Sequence, residues 1–150
     1  MCVRLTAFVL VTVLCLVSCH QPSRPNDSPP IVGAWLVTIP EAPFPYHLLI
    51  FHADGTVHQS NPDAGDANTS DSALMGAWTT SANGIKAKLV EVTADRNSHK
   101  FVSRVEISFW IQVSGDAMTG TATAVSLDRE GKRIREAVAA TLSGQRILPD

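Results

Sequence analysis

Phe101-Val102-Ser103-Arg104-Val105-Glu106-Ile107-Ser108-Phe109-Trp110-Ile111-Gln112-Val113 is the stretch on which the fold turns. Phe101, Ser103, Val105, Ile107, Phe109, Ile111 and Val113 stand in one phase, with Arg104, Glu106, Ser108, Trp110 and Gln112 in the other. Successive side chains of an extended strand point to opposite sides, so this alternation predicts a β-strand with one face in a core. No helical period longer than two turns follows residue 30, which sets the class as all-β. At about 3.3 Å per residue so long a strand must coil or bend, as barrel strands do.

Turn signals divide the chain on both sides of it. Downstream, Ser114-Gly115-Asp116-Ala117 leads into a strand over residues 118–127, on which Gly120, Ala122 and Ala124 leave one face small. Asp128-Arg129-Glu130-Gly131 then leads into a last strand over residues 132–142. Upstream, the strand over residues 85–93 changes from Ile85, Ala87, Leu89 to Val90, Val92. This reads as a β-bulge at Leu89-Val90 that turns Lys86, Lys88 and Glu91 outward. Before it, Ala82-Asn83-Gly84 closes a strand that begins near Met75 and carries Trp78. Residues 61–73, rich in Asp, Asn, Ser and Gly, read as a surface excursion. Ala53-Asp54-Gly55 joins residues 44–52 to 56–60 as a hairpin, with Phe51 and Val57 on the core face and Leu48, Ile50, His52 and His58 on the other. The first strand, residues 33–39, presents Trp35, Val37 and Ile39 to one face and stops at Pro40.

These segments make eight strands joined by short turns. The simplest arrangement is an eight-stranded up-and-down antiparallel barrel, which removes its own edges; a β-sandwich is the alternative. Such a barrel has room inside for side chains or for one small ligand. Phe51, Val105, Ile107 and Phe109 are the candidate residues of an interior cavity for a small apolar molecule.

The N-terminal segment has a different composition. Residues 1–18 hold a single charge, Arg4, ahead of an apolar run of about thirteen residues, too short for a membrane span of about twenty, and read as an export signal. Leu16-Val17-Ser18-Cys19 resembles the bacterial lipobox, and that resemblance implies that Cys19 is lipidated and becomes the mature N-terminus. Residues 19–30, with four prolines, then form a tether, and residues 31–148 the folded domain. His20 rather than Asp after the lipidated Cys, by resemblance to enterobacterial sorting, implies an outer-membrane protein facing the periplasm. Cys2, Cys15 and Cys19 all precede the domain, so it holds neither a disulfide nor a thiolate metal site. Without Arg4, eleven basic side chains stand against fourteen acidic ones with no basic patch, which argues against nucleic acid as a partner.

Gly33-Ala34-Trp35 returns as Gly76-Ala77-Trp78, and Phe51-x-x-Asp54-Gly55-Thr56 lies between them, with Gly144-Gln145-Arg146-Ile147 at the far end. In this ordered set the chain, over residues 31–148, resembles the calycin superfamily of lipocalin-like small barrels. The resemblance implies that Trp35 closes one end of the barrel and that Arg146 lies across it. It also implies a binding function. The pattern departs from lipocalins in lacking their threonine-aspartate-tyrosine turn, and four residues after Arg146 leave the expected barrel without their C-terminal helix. The absence of helices is closer to avidin-like barrels, although the residues that hold biotin there have no counterparts.

No nucleophile elbow, phosphate-cradling loop or cofactor fingerprint occurs, so no catalytic residue and no cofactor is assigned. His52 and His58 share a strand face but lack a third ligand fixed by spacing, and Asp63, Asp66 and Asp71 lack the order of a calcium loop; no metal is expected. The function expected is a lipid-anchored binding barrel for a small apolar ligand. The alternatives are an envelope module that binds another protein through Trp110 or the Leu48/Ile50 face, and a barrel-cyclase type of enzyme using Tyr46, His47 or Glu136 as acid-base groups.

Overall fold

The computed structural model describes residues 28–60, 62 and 67–150. The export signal, Cys19, most of the tether, Asp63 and Asp66 lie outside the described residues. Nine strands follow in order: β1 Gly33–Thr38, β2 Tyr46–Phe51, β3 Thr56–Ser60, β4 Thr69–Asp71, β5 Leu74–Ser81, β6 Gly84–Asp95, β7 Phe101–Ser114, β8 Ala117–Leu127 and β9 Val138–Arg146. There is no helix among the described residues.

Eight of the strands form a closed antiparallel ring, β1-β2-β3-β5-β6-β7-β8-β9, which β9 completes by pairing back onto β1. Each strand lies beside its sequence neighbours, so the barrel is up-and-down. The ninth, β4, stands outside the ring. It pairs Asp71 with Thr93 and Thr69 with Asp95, further along the β6 edge that β5 occupies. The Asn- and Asp-rich stretch before β5 therefore contributes a short strand of its own. Ser72 anchors the step between β4 and β5, its N–H donating to the Val92 carbonyl and its Oγ accepting from the Val92 N–H, both at 3.0 Å.

Strands β6 and β7 stay in register from Ile85↔Ile111 to Thr93↔Ser103, with the shift at Thr93/Ala94. This corrects the bulge expected at Leu89-Val90. Alternation continues unbroken through that point, so Ile85, Ala87 and Leu89 are buried while Val90 and Val92 face solvent. Glu91 and Thr93 consequently turn inward, the reverse of the orientation expected for Glu91. Two valines in the wrong phase suggested a bulge; they are outward residues of a strand whose inward phase becomes polar.

The last strand is also displaced, from residues 132–142 to Val138–Arg146. Residues 128–134 instead extend β8 as a short turn, in which Lys132 N–H bonds Asp128 Oδ1 at 2.7 Å and Ile134 N–H bonds the Ser126 carbonyl at 3.0 Å. β9 must pair with β8 on one edge and β1 on the other, and only the later segment meets both.

The two ends of the barrel differ. At one end the strands are joined by tight turns at residues 52–55, 82–83 and 115–116. The hairpin there is set by Asp54, whose Oδ1 accepts from Thr56 N at 2.9 Å and Oγ1 at 2.7 Å, and by Gly55 in the left-handed region at φ 88°. Ile31, Trp35, Phe51, Val57, Trp78, Ile111 and Met118 fill this half. At the other end lie longer connections, among them residues 39–45, 96–100 and 128–137.

Trp35 is fully buried and donates its indole N–H to the Ile31 carbonyl at 2.8 Å. Arg146, its partner in the β1–β9 register, lies over the ring with Cζ 4.2 Å from the centroid. The guanidinium also bonds Asp116 Oδ1 at 2.9 Å, the Val32 carbonyl at 2.7 Å and the Pro30 carbonyl. One side chain thus ties the N-terminal segment to the β7–β8 turn and seals that end. Gly33 leaves room for it, since a Cβ there would meet Arg146 Nη1 at 2.7 Å, and its φ of +132° favours glycine in any case.

Trp78 has a partner of its own. Its indole N–H donates to the His52 carbonyl at 2.9 Å, and its ring stands edge-on to Phe51 with centroids 6.2 Å apart. Two Gly-Ala-Trp strands, from different parts of the ring, therefore each fix one side of the filled end.

Candidate functional site

The inward positions change volume along the barrel, and that change makes a cavity. Toward the tight-turn end they carry Trp35, Phe51, Trp78, Phe109 and Met118. Toward the loop end β8 and β9 offer Ala122, Ala124 and Ala140, and β6 and β7 offer Thr93 and Ser103. Strand spacing is fixed by the backbone ladder, so small side chains cannot draw the walls together. A cavity of about 580 Å³ results, within the range of roughly 300–1,000 Å³ usual for small-molecule sites.

Ile39, Leu74, Val105, Ile107, Ala122 and Ala124 form its apolar wall. Phe44 and Ile134, on the connections before β2 and β9, and Val138, the first residue of β9, also line it and are exposed. Polar groups lie among these residues: Glu91 and Thr93 on β6 are paired with Val105 and Ser103 on β7, and Asp71 accepts from Thr93 Oγ1 at 2.7 Å. Glu41 accepts from Thr141 Oγ1 at 3.1 Å, and its carboxyl is held below the usual range by its own backbone N–H first and by Thr141 second. Glu91 and Arg135 also belong to the lining among the described residues.

At the floor are His47 and Gln59, on β2 and β3, both buried and joined by a hydrogen bond of 3.0 Å between Gln59 Nε2 and His47 Nδ1. Burial pushes the imidazole below its ordinary pKa, so His47 is neutral at pH 7.

The four residues expected around a cavity divide between the halves. Val105 and Ile107 line it, while Phe51 and Phe109 lie in the filled half and are absent from its wall. Trp35 and Arg146 stand at the opposite end of the barrel. Of the acid-base trio, Tyr46 and His47 are adjacent on β2 and so face opposite sides, Tyr46 outward and His47 inward. Glu136 is exposed on the connection before β9 and does not line the cavity. His52 and His58 are exposed on the outer face with ring centroids 5.2 Å apart. No group of three or more His, Cys, Asp or Glu among the described residues is placed to hold a metal ion.

Gln59 and Glu91 were not among the residues singled out from the sequence. Strict alternation carried through Val57 and Leu89 reaches both, so the signal was present; outward Val90 and Val92 obscured it for Glu91. Arg135 faces the cavity because β9 starts late, which no local pattern announces.

No family model matches the chain, and no curated protein or solved structure matches it.

Proposed function

We propose that this protein is a lipid-anchored component of the bacterial cell envelope, of calycin-like type, whose barrel binds a small and largely apolar ligand. The observation that carries the reading is the cavity of about 580 Å³ between an apolar wall and a polar floor at the loop end. Burying a ligand's methylenes there is worth about 0.8 kcal/mol each, with polar groups left to fix its orientation. The calycin likeness draws support from Arg146 stacked on Trp35. Anchorage rests on the lipobox-like Leu16-Val17-Ser18-Cys19, and the outer membrane facing the periplasm is the location proposed on the strength of His20.

Native mass spectrometry of the expressed protein, with organic extraction of what co-purifies, tests the binding reading. A co-purifying apolar molecule that is lost from an Ala124→Leu variant supports it. Empty protein that takes up no alkyl probe at all removes it. Anchorage is checked separately: Cys19→Ser releases the chain from the membrane fraction and ends palmitate incorporation, and unchanged incorporation refutes the lipobox.

One observation favours a second reading, a protein-interaction module. Leu48, Ile50 and Met75 on the outer face are 47%, 43% and 60% exposed. Ile50 pairs with His58, His58 with Met75 and Met75 with Val90, so a band that is apolar except at His58 runs across β2, β3, β5 and β6. Trp110, the other surface expected to bind a partner, is half-buried with Lys86 Nζ 5.5 Å from its ring. Cross-linking from position 50 to one discrete envelope protein, with no ligand in the cavity, would favour this reading over the first.

A further inference from the structure

The two buried polar side chains at the cavity floor are out of keeping with the apolar wall beside them. His47 and Gln59 are 6% and 3% exposed. His47 Nε2 and Gln59 Oε1 have no hydrogen-bond partner among the described residues, although the Phe44 backbone lies near enough to the His47 ring to favour its charged form. A buried polar atom without a partner costs a folded chain stability that an apolar side chain of the same shape does not. A barrel serving only as a greasy container would be more stable with leucines at both positions.

The geometry points to this pair as the polar anchor of the cavity, selecting a ligand with an uncharged head group that both donates and accepts a hydrogen bond, as an alcohol or a primary carboxamide does. It rests on the binding reading above and adds the class of head group to it.

Either assignment of the Gln59 amide leads to the same chemistry. If Gln59 Nε2 donates to His47 Nδ1, the neutral imidazole carries its proton on Nε2, and the Gln59 carbonyl remains to accept. If the amide is turned over, His47 Nδ1 donates to its oxygen, His47 Nε2 accepts, and the Gln59 NH₂ remains to donate. One donor and one acceptor remain without a partner in both cases. Both residues line the cavity, while the two open atoms themselves have almost no accessible area. The terminal torsions of Gln and His are broad, so rotations of low cost turn them toward a head group.

Charge narrows the class further. Among the described residues that line the cavity, Glu41, Asp71 and Glu91 carry carboxylates, which do not favour a carboxylate or phosphate head. Neutral His47 offers such an anion no counter-charge.

Calorimetric titration of the full chain with decan-1-ol, decanamide, decyl methyl ether and decanoate tests the assignment, because only the head group changes. The alcohol and the amide are expected to bind at least about tenfold more tightly than the ether, which cannot donate, and than the anion. In a His47→Leu, Gln59→Leu double variant the preference for alcohol and amide over ether should shrink to within about threefold while ether binding persists. If that variant does not fold, the wild-type series decides alone. Equal binding of alcohol, amide and ether means that water serves the pair, and overturns the inference while leaving the binding reading intact. Tightest binding by decanoate overturns the head-group class. Binding by none of the four removes the cavity reading itself, and this inference with it.

Discussion

The two ends of this barrel are built from the same strands and have opposite interiors. At the tight-turn end Trp35 and Trp78 each place an indole N–H on a backbone carbonyl, and Arg146 closes over Trp35 with three hydrogen-bond partners. At the loop end alanines, serine and threonine leave a cavity, and two buried polar atoms have no described partner. An eight-stranded barrel has a set radius, so side-chain volume at the inward positions decides whether a given layer is core or container. This chain makes one half of each. Stability is concentrated where the volume is filled, and capacity for a ligand where it is not.

The largest effect that would sharpen the contrast is Trp35→Ala, expected to cost about 3–5 kcal/mol in urea unfolding, as for other buried aromatics. The matched change in the container half, Ile107→Ala, should cost clearly less, about 1–2 kcal/mol, because Ile107 is half-buried and already borders a void. Equal costs at the two positions would erase the distinction between the halves. Arg146→Leu should come next at about 2 kcal/mol, since it forfeits the stacking on Trp35 and strands three acceptors. A loss under about 0.5 kcal/mol would mean the closing cap contributes shape and little energy.

Adding volume should separate the halves in the other direction. Gly76→Ala drives a Cβ to within 1.8 Å of the Lys88 carbonyl oxygen and should cost at least about 2 kcal/mol. Ala124→Leu has the cavity to grow into and should cost under about 1 kcal/mol while displacing any ligand. A destabilised Ala124→Leu protein would show that the container half is tighter than its geometry implies.

The smallest effect is a pH dependence confined to the container half. Burial lowers the His47 pKa from its ordinary value of 6.5, so just below that value the unfolded chain binds more protons than the folded one. Stability should therefore fall as pH drops from 6.5 toward the folded pKa and be unaffected by His47 above it. Glu41 and Glu106, held below 4.5, add their own losses only at lower pH. Melting temperatures at about pH 8 and pH 5.5 should differ more in the parent than in His47→Gln. The same difference in both proteins would place the titrating group elsewhere.

Most strand positions were readable because a period-two pattern is a local consequence of one face being buried. Residues 101–113 predicted β7 within a residue, and the turn at Ala53-Asp54-Gly55 predicted its hairpin. The misreadings share a cause. At residues 85–93 and 132–142 apolar side chains outside the inward phase imitated a core face, and a local pattern cannot tell an outward valine from a bulge. Of the cavity, Val105 and Ile107 could be named from alternation, whereas Phe51 and Phe109, in the same phase as other inward residues, lie one layer too deep. Depth along a barrel depends on strand stagger, which alternation does not carry.

The sequence by itself determined the all-β class, the number of strands in the ring and, along most of them, the side each residue faces, because hydrophobic period and turn chemistry act over a few residues. The Trp35–Arg146 closure could be anticipated only through a family resemblance. Tertiary structure alone decided that β9 begins at Val138, that Glu91 and Arg135 meet inside the barrel, and that His47 and Gln59 share its floor. Those outcomes follow from ring closure, in which the register of each strand pair fixes the next around the circle and the last must agree with the first.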